Sequence, residues 1–170
     1  AKKVGVNHFV YASSCSVYGY AEDKPRTENS DLNPLTAYAI SKVSTEKALE
    51  PLASNNFIVT CLRFATACGA SPRLRLDLVL NDFVASALAL AKIEILSDGT
   101  PWRPLIHVKD MARAIDWAAN RSNEAGENYL IVNTGSNEWN YQVKDLALAV
   151  KEQFSSIDLS INENSELDKR

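Results

Sequence analysis

This sequence predicts an α/β fold with a largely parallel sheet. Short apolar runs rich in strand formers alternate with longer segments of helical periodicity, the pattern of strand–helix–strand units. The chain has 170 residues, the size of one domain, and a domain of that length buries roughly two-thirds of its unfolded surface.

The elements follow in order. Ala1-Lys2-Lys3-Val4-Gly5 reads as the last turn and glycine cap of a helix. His8 to Ser13 is a short apolar strand. Thr36 to Ala53 is helical, with Thr36 as N-cap and Ala37, Ile40, Val43, Ala48 and Leu49 available for burial. Ile58 to Arg63 is a buried strand, and Ala65 to Leu76 a long loop. Asp77 is placed to cap a helix reaching about Ala91. Lys92 to Leu96 is a strand ended by the turn Ser97-Asp98-Gly99, and Pro104 to Val108 is extended. Asp110 to Asn120 is a helix with Met111, Ala114, Ile115 and Ala118 on one face. Tyr129 to Asn133 is a strand. Tyr141 to Phe154 is an amphipathic helix carrying Val143, Leu146, Ala147 and Val150. A polar tail from Ser155 holds a short strand at Ile157 to Ile161.

Composition narrows the function classes. The hydrophobic share of 46% and charged share of 23% are ordinary for a globular protein. A net charge of −3 with interspersed signs gives no footprint for nucleic acid. No apolar run approaches the roughly 18 residues that span a membrane, and the start lacks the apolar core of a signal peptide. Cys15, Cys61 and Cys68 form no C-x-x-C pair and read as free thiols of a cytoplasmic protein. His8 and His107 are far apart and lack metal-ligand spacing, so no metal site is expected.

Two motifs carry chemistry. Ser13-Ser14 ends the first strand, and in open α/β folds ligands bind at the carboxyl edge of the sheet. Tyr38 and Lys42 stand four apart on a helix and therefore share a face. An ammonium beside a phenol favours the phenolate, which suits a general base. Tyr20 and Lys24 repeat the spacing, but Pro25 disfavours helix at Lys24, so that pair reads as a surface turn. His107, between Ile106 and Val108, reads as a packed, hydrogen-bonded histidine. Trp102 suits either a substrate mouth or a half-buried loop, and Asp110 gives electrostatic support near a helix start.

The two motifs together, with Leu62-Arg63-Phe64-Ala65-Thr66-Ala67-Cys68-Gly69, Asp98-Gly99-Thr100-Pro101-Trp102-Arg103-Pro104-Leu105-Ile106-His107-Val108-Lys109-Asp110 and Asn133-Thr134-Gly135-Ser136, give the chain a family likeness. From about Gly5 to Phe154 it resembles the extended short-chain dehydrogenase/reductases, specifically the NAD-dependent nucleotide-sugar epimerase/dehydratase group.

The resemblance implies the C-terminal part of a Rossmann-like doubly wound parallel sheet plus a small substrate-binding α/β portion. Residues 1–64 would form the core half carrying the site. Residues 65–170 would be mainly the substrate-binding portion, with some segments returning to the core. The implied catalytic residues are Ser14, Tyr38 and Lys42. The cofactor NAD would meet Tyr38, Lys42, Ala12 and Phe64. A nucleotide-diphosphate sugar would meet Ser14, Thr66, Asn81 and Arg103, the arginine gripping the diphosphate. A homodimer of the complete protein is also implied.

Departures from the family pattern refine this. Thr66 stands where the family often has asparagine. Cys15 and Ser16 replace the acidic residues that dehydrating members carry after the Ser14 position, which favours epimerisation or simple oxidoreduction over elimination. The glycines at 5, 19, 69, 99, 126 and 135 form no dinucleotide fingerprint. The expectation is therefore an NAD-dependent nucleotide-sugar epimerase of which this chain is an incomplete portion, inactive alone. The alternatives are an inactive nucleotide-sugar binding or assembly module, or an NAD(P)-dependent reductase of the same superfamily.

Overall fold

The computed structural model describes residues 1–20, 24–122, 127–154 and 156–162. In chain order the elements are β1 (His8–Ser14), α1 (Ala37–Leu49), β2 (Ile58–Phe64), β3 (Thr66–Cys68), α2 (Val79–Leu90), β4 (Lys92–Ile95), β5 (Trp102–His107), α3 (Val108–Asn120), β6 (Tyr129–Thr134), β7 (Asn140–Gln142), α4 (Val143–Glu152) and β8 (Asp158–Ile161). They fall into two units, one of Ala1–Ala65 with Lys109–Thr134, the other of Thr66–Val108 with the described residues from 135 onward. Among the described residues no helix is long and apolar enough to cross a membrane.

The first unit holds a parallel sheet in the order β1-β2-β6. Parallel neighbours need a crossover, and α1 supplies it between β1 and β2. Every residue of β2 is buried, as expected of a central parallel strand. The register sets Ser13, Arg63 and Asn133 side by side, followed by Ser14, Phe64 and Thr134 at the carboxyl edge. The expected glycine-capped turn is present at the start, as a single 3₁₀ turn (Lys2–Val4) with Gly5 at φ 78°.

The α1 helix begins as its sequence predicts. The Thr36 hydroxyl accepts a hydrogen bond from the Ala39 N–H at 3.1 Å. Its inward face differs from the apolar reading. Ala39, Val43, Glu46 and Leu49 are buried, whereas Ala37, Ile40 and Ala48 are exposed. Residues 39, 43, 46 and 49 share one face at three- and four-residue spacing, and on that face Glu46 meets its buried partner, Arg63 of β2.

The second unit is built from small pieces around an apolar core. Its sheets are β3-β5-β7, parallel then antiparallel, and the parallel pair β4-β8. Phe83, Ile93, Ile95, Leu105, Leu146 and Val150 form the centre of its core.

Three boundaries in this unit correct the sequence reading. The loop expected from Ala65 contains β3, whose three residues pair with β5. Asp77 does not cap α2. It pairs with Arg75 at 2.6 Å, leaving Leu78 at the N-cap with no capping side chain. The last helix starts at Val143 rather than Tyr141, because Asn140–Gln142 pair with β5. Gln142 and Asp145 then form a capping box. As anticipated, Val143, Leu146, Ala147 and Val150 are its buried face.

Of the second Tyr-x-x-x-Lys spacing, Tyr20 and Lys24 stand outside the helices, and Ala21, Glu22 and Asp23 lie outside the described residues.

Candidate active site

Ser14 is the last residue of β1 and the N-cap of a short 3₁₀ turn, Cys15–Tyr18. Its Oγ accepts two hydrogen bonds, from the Ser16 N–H at 3.2 Å and the Ser16 hydroxyl at 2.9 Å. The turn closes at Gly19 with φ 67°. A Cβ there would overlap the Asn33 carbonyl oxygen, so glycine is required by space as well as by backbone angle.

Tyr38 lies in the first turn of α1 and is 56% exposed. Lys42 follows one turn later. Its Nζ donates to the Ala12 carbonyl oxygen at 2.7 Å. It also lies 5.1 Å from the Tyr38 ring centroid and 5.1 Å from that of Tyr11, within cation–π range. Lys42 thus joins α1 to the strand two residues before Ser14, and its ammonium has three donors of which this bond uses one. Phe64, opposite Ser14 in the register, is buried at 7% exposure.

The remaining expected residues belong to the second unit. Thr66 opens β3 opposite Leu105 and is half-buried. Arg103 is half-buried in β5 opposite Tyr141, and one guanidinium nitrogen donates to the Trp102 carbonyl at 2.9 Å. Asn81 works as a clasp. Its Oδ1 accepts from the Gly69 N–H at 3.3 Å, and its Nδ2 donates to the Arg75 carbonyl at 3.0 Å. Gly69 (φ 102°) packs against the His107 imidazole so closely that a Cβ would overlap the ring.

Beneath the first group lies a buried polar network. The Arg63 guanidinium grips the Glu46 carboxylate with two nitrogens, at 3.0 and 2.7 Å. Their side chains are 2% and 3% exposed. The Ser13 hydroxyl donates to the same carboxylate at 2.5 Å. A further Arg63 nitrogen donates to the Tyr18 hydroxyl at 2.8 Å, and Tyr18 donates to Asn133 Oδ1 at 2.6 Å. Asn133 also donates its N–H to Glu28 at 2.7 Å, and the Tyr129 hydroxyl donates to the Glu46 carbonyl at 2.8 Å. Segments far apart in the chain, at residues 13–18, 46, 63 and 133, therefore meet in one structure.

The electrostatics follow from burial. Burial by itself would lower the Arg63 pKa, but the hydrogen bonds it donates to Glu46 and Tyr18 outweigh it and raise the value above the ordinary arginine range. Arg63 is a permanent cation and an anchor. The Cys15 thiol, which donates to the Arg63 carbonyl at 3.1 Å, is pushed up to about 11, chiefly by burial, against the lowering effect of Arg63. Burial also raises the Tyr18 phenol.

Glu46, Arg63, Tyr18 and Asn133 were not among the expected site residues. One signal was available. Arg63 is the lone charge in the strand Ile58–Phe64, and a buried arginine demands a carboxylate. Glu46, three residues after the buried Val43, answers it.

The residue pattern described as "NAD dependent epimerase/dehydratase family" matches residues 1–135. A UDP-glucose 4-epimerase of Bacillus subtilis (strain 168) is 34% identical over 128 residues, covering 65% of this chain and 38% of that protein. The chain spans about two-fifths of the length of the curated relatives it first matches. Among solved structures, MoeE5 in complex with UDP-glucuronic acid and NAD is 27% identical with a TM-score of 0.77, covering 95% of this chain and 57% of that one. A UDP-N-acetylglucosamine 4-epimerase from Methanobrevibacter ruminantium M1 shares the fold with a TM-score of 0.82 at 23% identity, over 98% of this chain and 53% of that one.

Proposed function

The chain belongs to the NAD-dependent epimerase/dehydratase family, and from that premise we propose that Ser14, Tyr38 and Lys42 serve the epimerisation of a nucleotide-diphosphate sugar. The observation that carries this is the placement of Lys42. Its ammonium spans from the Tyr38 ring to the Ala12 carbonyl, at the carboxyl end of β1 where Ser14 sits.

The donor set fits NAD. Lys42 has donors to spare for ribose hydroxyls, Tyr38 is exposed beside it, and the Ala12 backbone adjoins both. When bound, NAD supplies the acceptor and then the donor of hydride, which is what permits a sugar carbon to be inverted. The chain's own residues move and hold the proton. Tyr38 takes the proton of the sugar hydroxyl being oxidised and returns it when the alcohol re-forms. Ser14 hydrogen-bonds the oxygen at that carbon. Lys42 holds positive charge beside the Tyr38 ring, favouring transfer to it.

The second unit is assigned to substrate in this reading. Arg103 offers a planar fork of donors suited to a diphosphate, and Thr66 and Asn81 accompany it, with Asn81 also shaping the Gly69–Asn81 segment. Cys15 and Ser16 support epimerisation over dehydration, since no carboxylate follows Ser14 to move protons at neighbouring carbons. The names of relatives make UDP-glucose the first substrate to test.

The test is conversion of UDP-glucose to UDP-galactose by the full-length protein with NAD, followed chromatographically. Wild-type turnover that is lost in Tyr38→Phe supports the assignment. Undiminished turnover in that variant removes Tyr38 from the mechanism, and a wild type that turns over no UDP-sugar overturns the function.

A further inference from the structure

We propose that Ser16 is a positioning residue for the reaction, acting through Ser14 and fixing the direction in which the Ser14 hydroxyl works. The inference rests on the epimerase reading above.

A serine hydroxyl has one hydrogen to donate and two lone pairs to accept with. Both acceptor positions of Ser14 Oγ are filled from one neighbour: the Ser16 N–H lies at 3.2 Å and the Ser16 hydroxyl at 2.9 Å. The geometry is local and sturdy. Ser14 has extended backbone (φ −152°, ψ 144°), and the following 3₁₀ turn carries Ser16 directly under its hydroxyl. The turn is pinned by Gly19, by buried Val17 and Tyr18, and by the Tyr18 hydrogen bonds to Arg63 and Asn133.

With its lone pairs occupied, Ser14 has only its hydrogen to offer a bound sugar. It is therefore a fixed donor to the reacting oxygen and not a proton relay. Accepting the substrate proton would require Ser14 to release one Ser16 bond. The proton balance is then simple. The sugar O–H bond breaks, its proton goes directly to the Tyr38 oxygen, and Ser14 keeps its own hydrogen throughout. As the oxygen becomes a carbonyl it needs a donor, and Ser14 is already oriented as one. A donor in place before the reaction avoids reorganisation during it.

Ser16→Ala removes one of the two bonds and leaves the N–H. The freed lone pair lets the Ser14 hydroxyl rotate and accept, so the oriented donor is lost part of the time. The experiment is a kinetic cycle on the full-length protein with NAD and UDP-glucose. Variants are Ser16→Ala, Ser16→Thr, Ser14→Ala and Ser14→Ala/Ser16→Ala, with melting temperatures measured alongside. Loss of one hydrogen bond corresponds to a fall in kcat of about fivefold for Ser16→Ala, with KM and melting temperature little changed. Ser16→Thr, which keeps the hydroxyl, retains activity. In the Ser14→Ala background, Ser16→Ala has no further effect.

Full additivity of the two alanine variants overturns the inference, because Ser16 would then act independently of Ser14. Unchanged kcat in Ser16→Ala also overturns it, as does a kcat loss that merely tracks a lower melting temperature. Undiminished turnover in Ser14→Ala overturns it too, because Ser16 would have no acting residue to position, whereas the epimerase reading fails by a different sign, the absence of any wild-type turnover.

Discussion

In the first unit Arg63, Glu46, Ser13 and Thr60 are buried to 1–3% exposure beside an apolar core of Val17, Val59, Cys61 and Leu62 at 0%. At the same depth the second unit has Ile93, Ile95 and Ala147, at 0–1%. The first unit thus sets a hydrogen-bonded polar centre beside its hydrocarbon, whereas the second unit is hydrocarbon at that depth. The consequences differ. Hydrogen-bonded charge pairs fix angles and registers, whereas apolar packing accepts shape-conserving exchange. The directional centre lies in the unit that carries Ser14, Tyr38 and Lys42. It ties β1 through Ser13, α1 through Glu46, β2 through Arg63 and β6 through Asn133. The contrast teaches that the unit carrying the proposed proton chemistry adds fixed orientation to burial.

The sharpest way to break this comparison is Arg63→Met. It strands the Glu46 carboxylate, and removing one partner of a buried pair costs about 3–5 kcal/mol. Urea unfolding of the full-length protein measures it. Arg63→Met combined with Glu46→Leu recovers much of that loss, since no charge is then left unpaired. A single variant within about 1 kcal/mol of wild type would mean the polar centre is not a structural necessity.

In the second unit, Leu146→Ala leaves a cavity and costs about 2–4 kcal/mol. Leu146→Met stays within about 1.5 kcal/mol. If the methionine variant were as damaging as the alanine, the two centres would be equally exacting and the distinction would collapse.

The thiols sharpen the comparison by titration. Burial lifts both Cys15 and Cys61 to about 11, from an ordinary 9.0. A raised folded-state value favours the protonated thiol in the folded protein. Their contribution is therefore intact below pH 9 and declines as pH climbs toward 11. Iodoacetamide labelling of native protein at pH 8, read by mass spectrometry, should be about a hundredfold slower at these cysteines than at a free thiol. The smallest expected effect is at the start of α1. Thr36→Ala removes the N-cap and costs about 1 kcal/mol, a local change that hydrogen exchange at Ala39 would register.

Much of this was legible in the sequence. Thr36 announced the start of α1, and the four-residue spacing placed Lys42 beside Tyr38. The continuous run from Ile58 marked a strand buried on both faces. What escaped was whatever local pattern cannot express. Glu46 reads as a solvent-facing residue until Arg63, 17 positions away, requires it. The strands Thr66–Cys68 and Asn140–Gln142 are three residues each, too short for periodicity, and exist because β5 offers both of its edges. Asp77 has the chemistry of an N-cap but found a guanidinium two residues away. In each case a partner distant in the chain or a competing neighbour decided what propensity left open.

The shared carboxylate of Glu46 has an evolutionary consequence. One side chain accepts from Ser13 and from two nitrogens of Arg63, and Arg63 in turn holds Tyr18. A lineage cannot exchange Glu46 and Arg63 one at a time without passing through a stranded charge. In a saturation mutagenesis library selected for folding, positions 46 and 63 should be depleted as singles yet recovered as matched pairs, a ruggedness that positions such as 93 and 146 will not share.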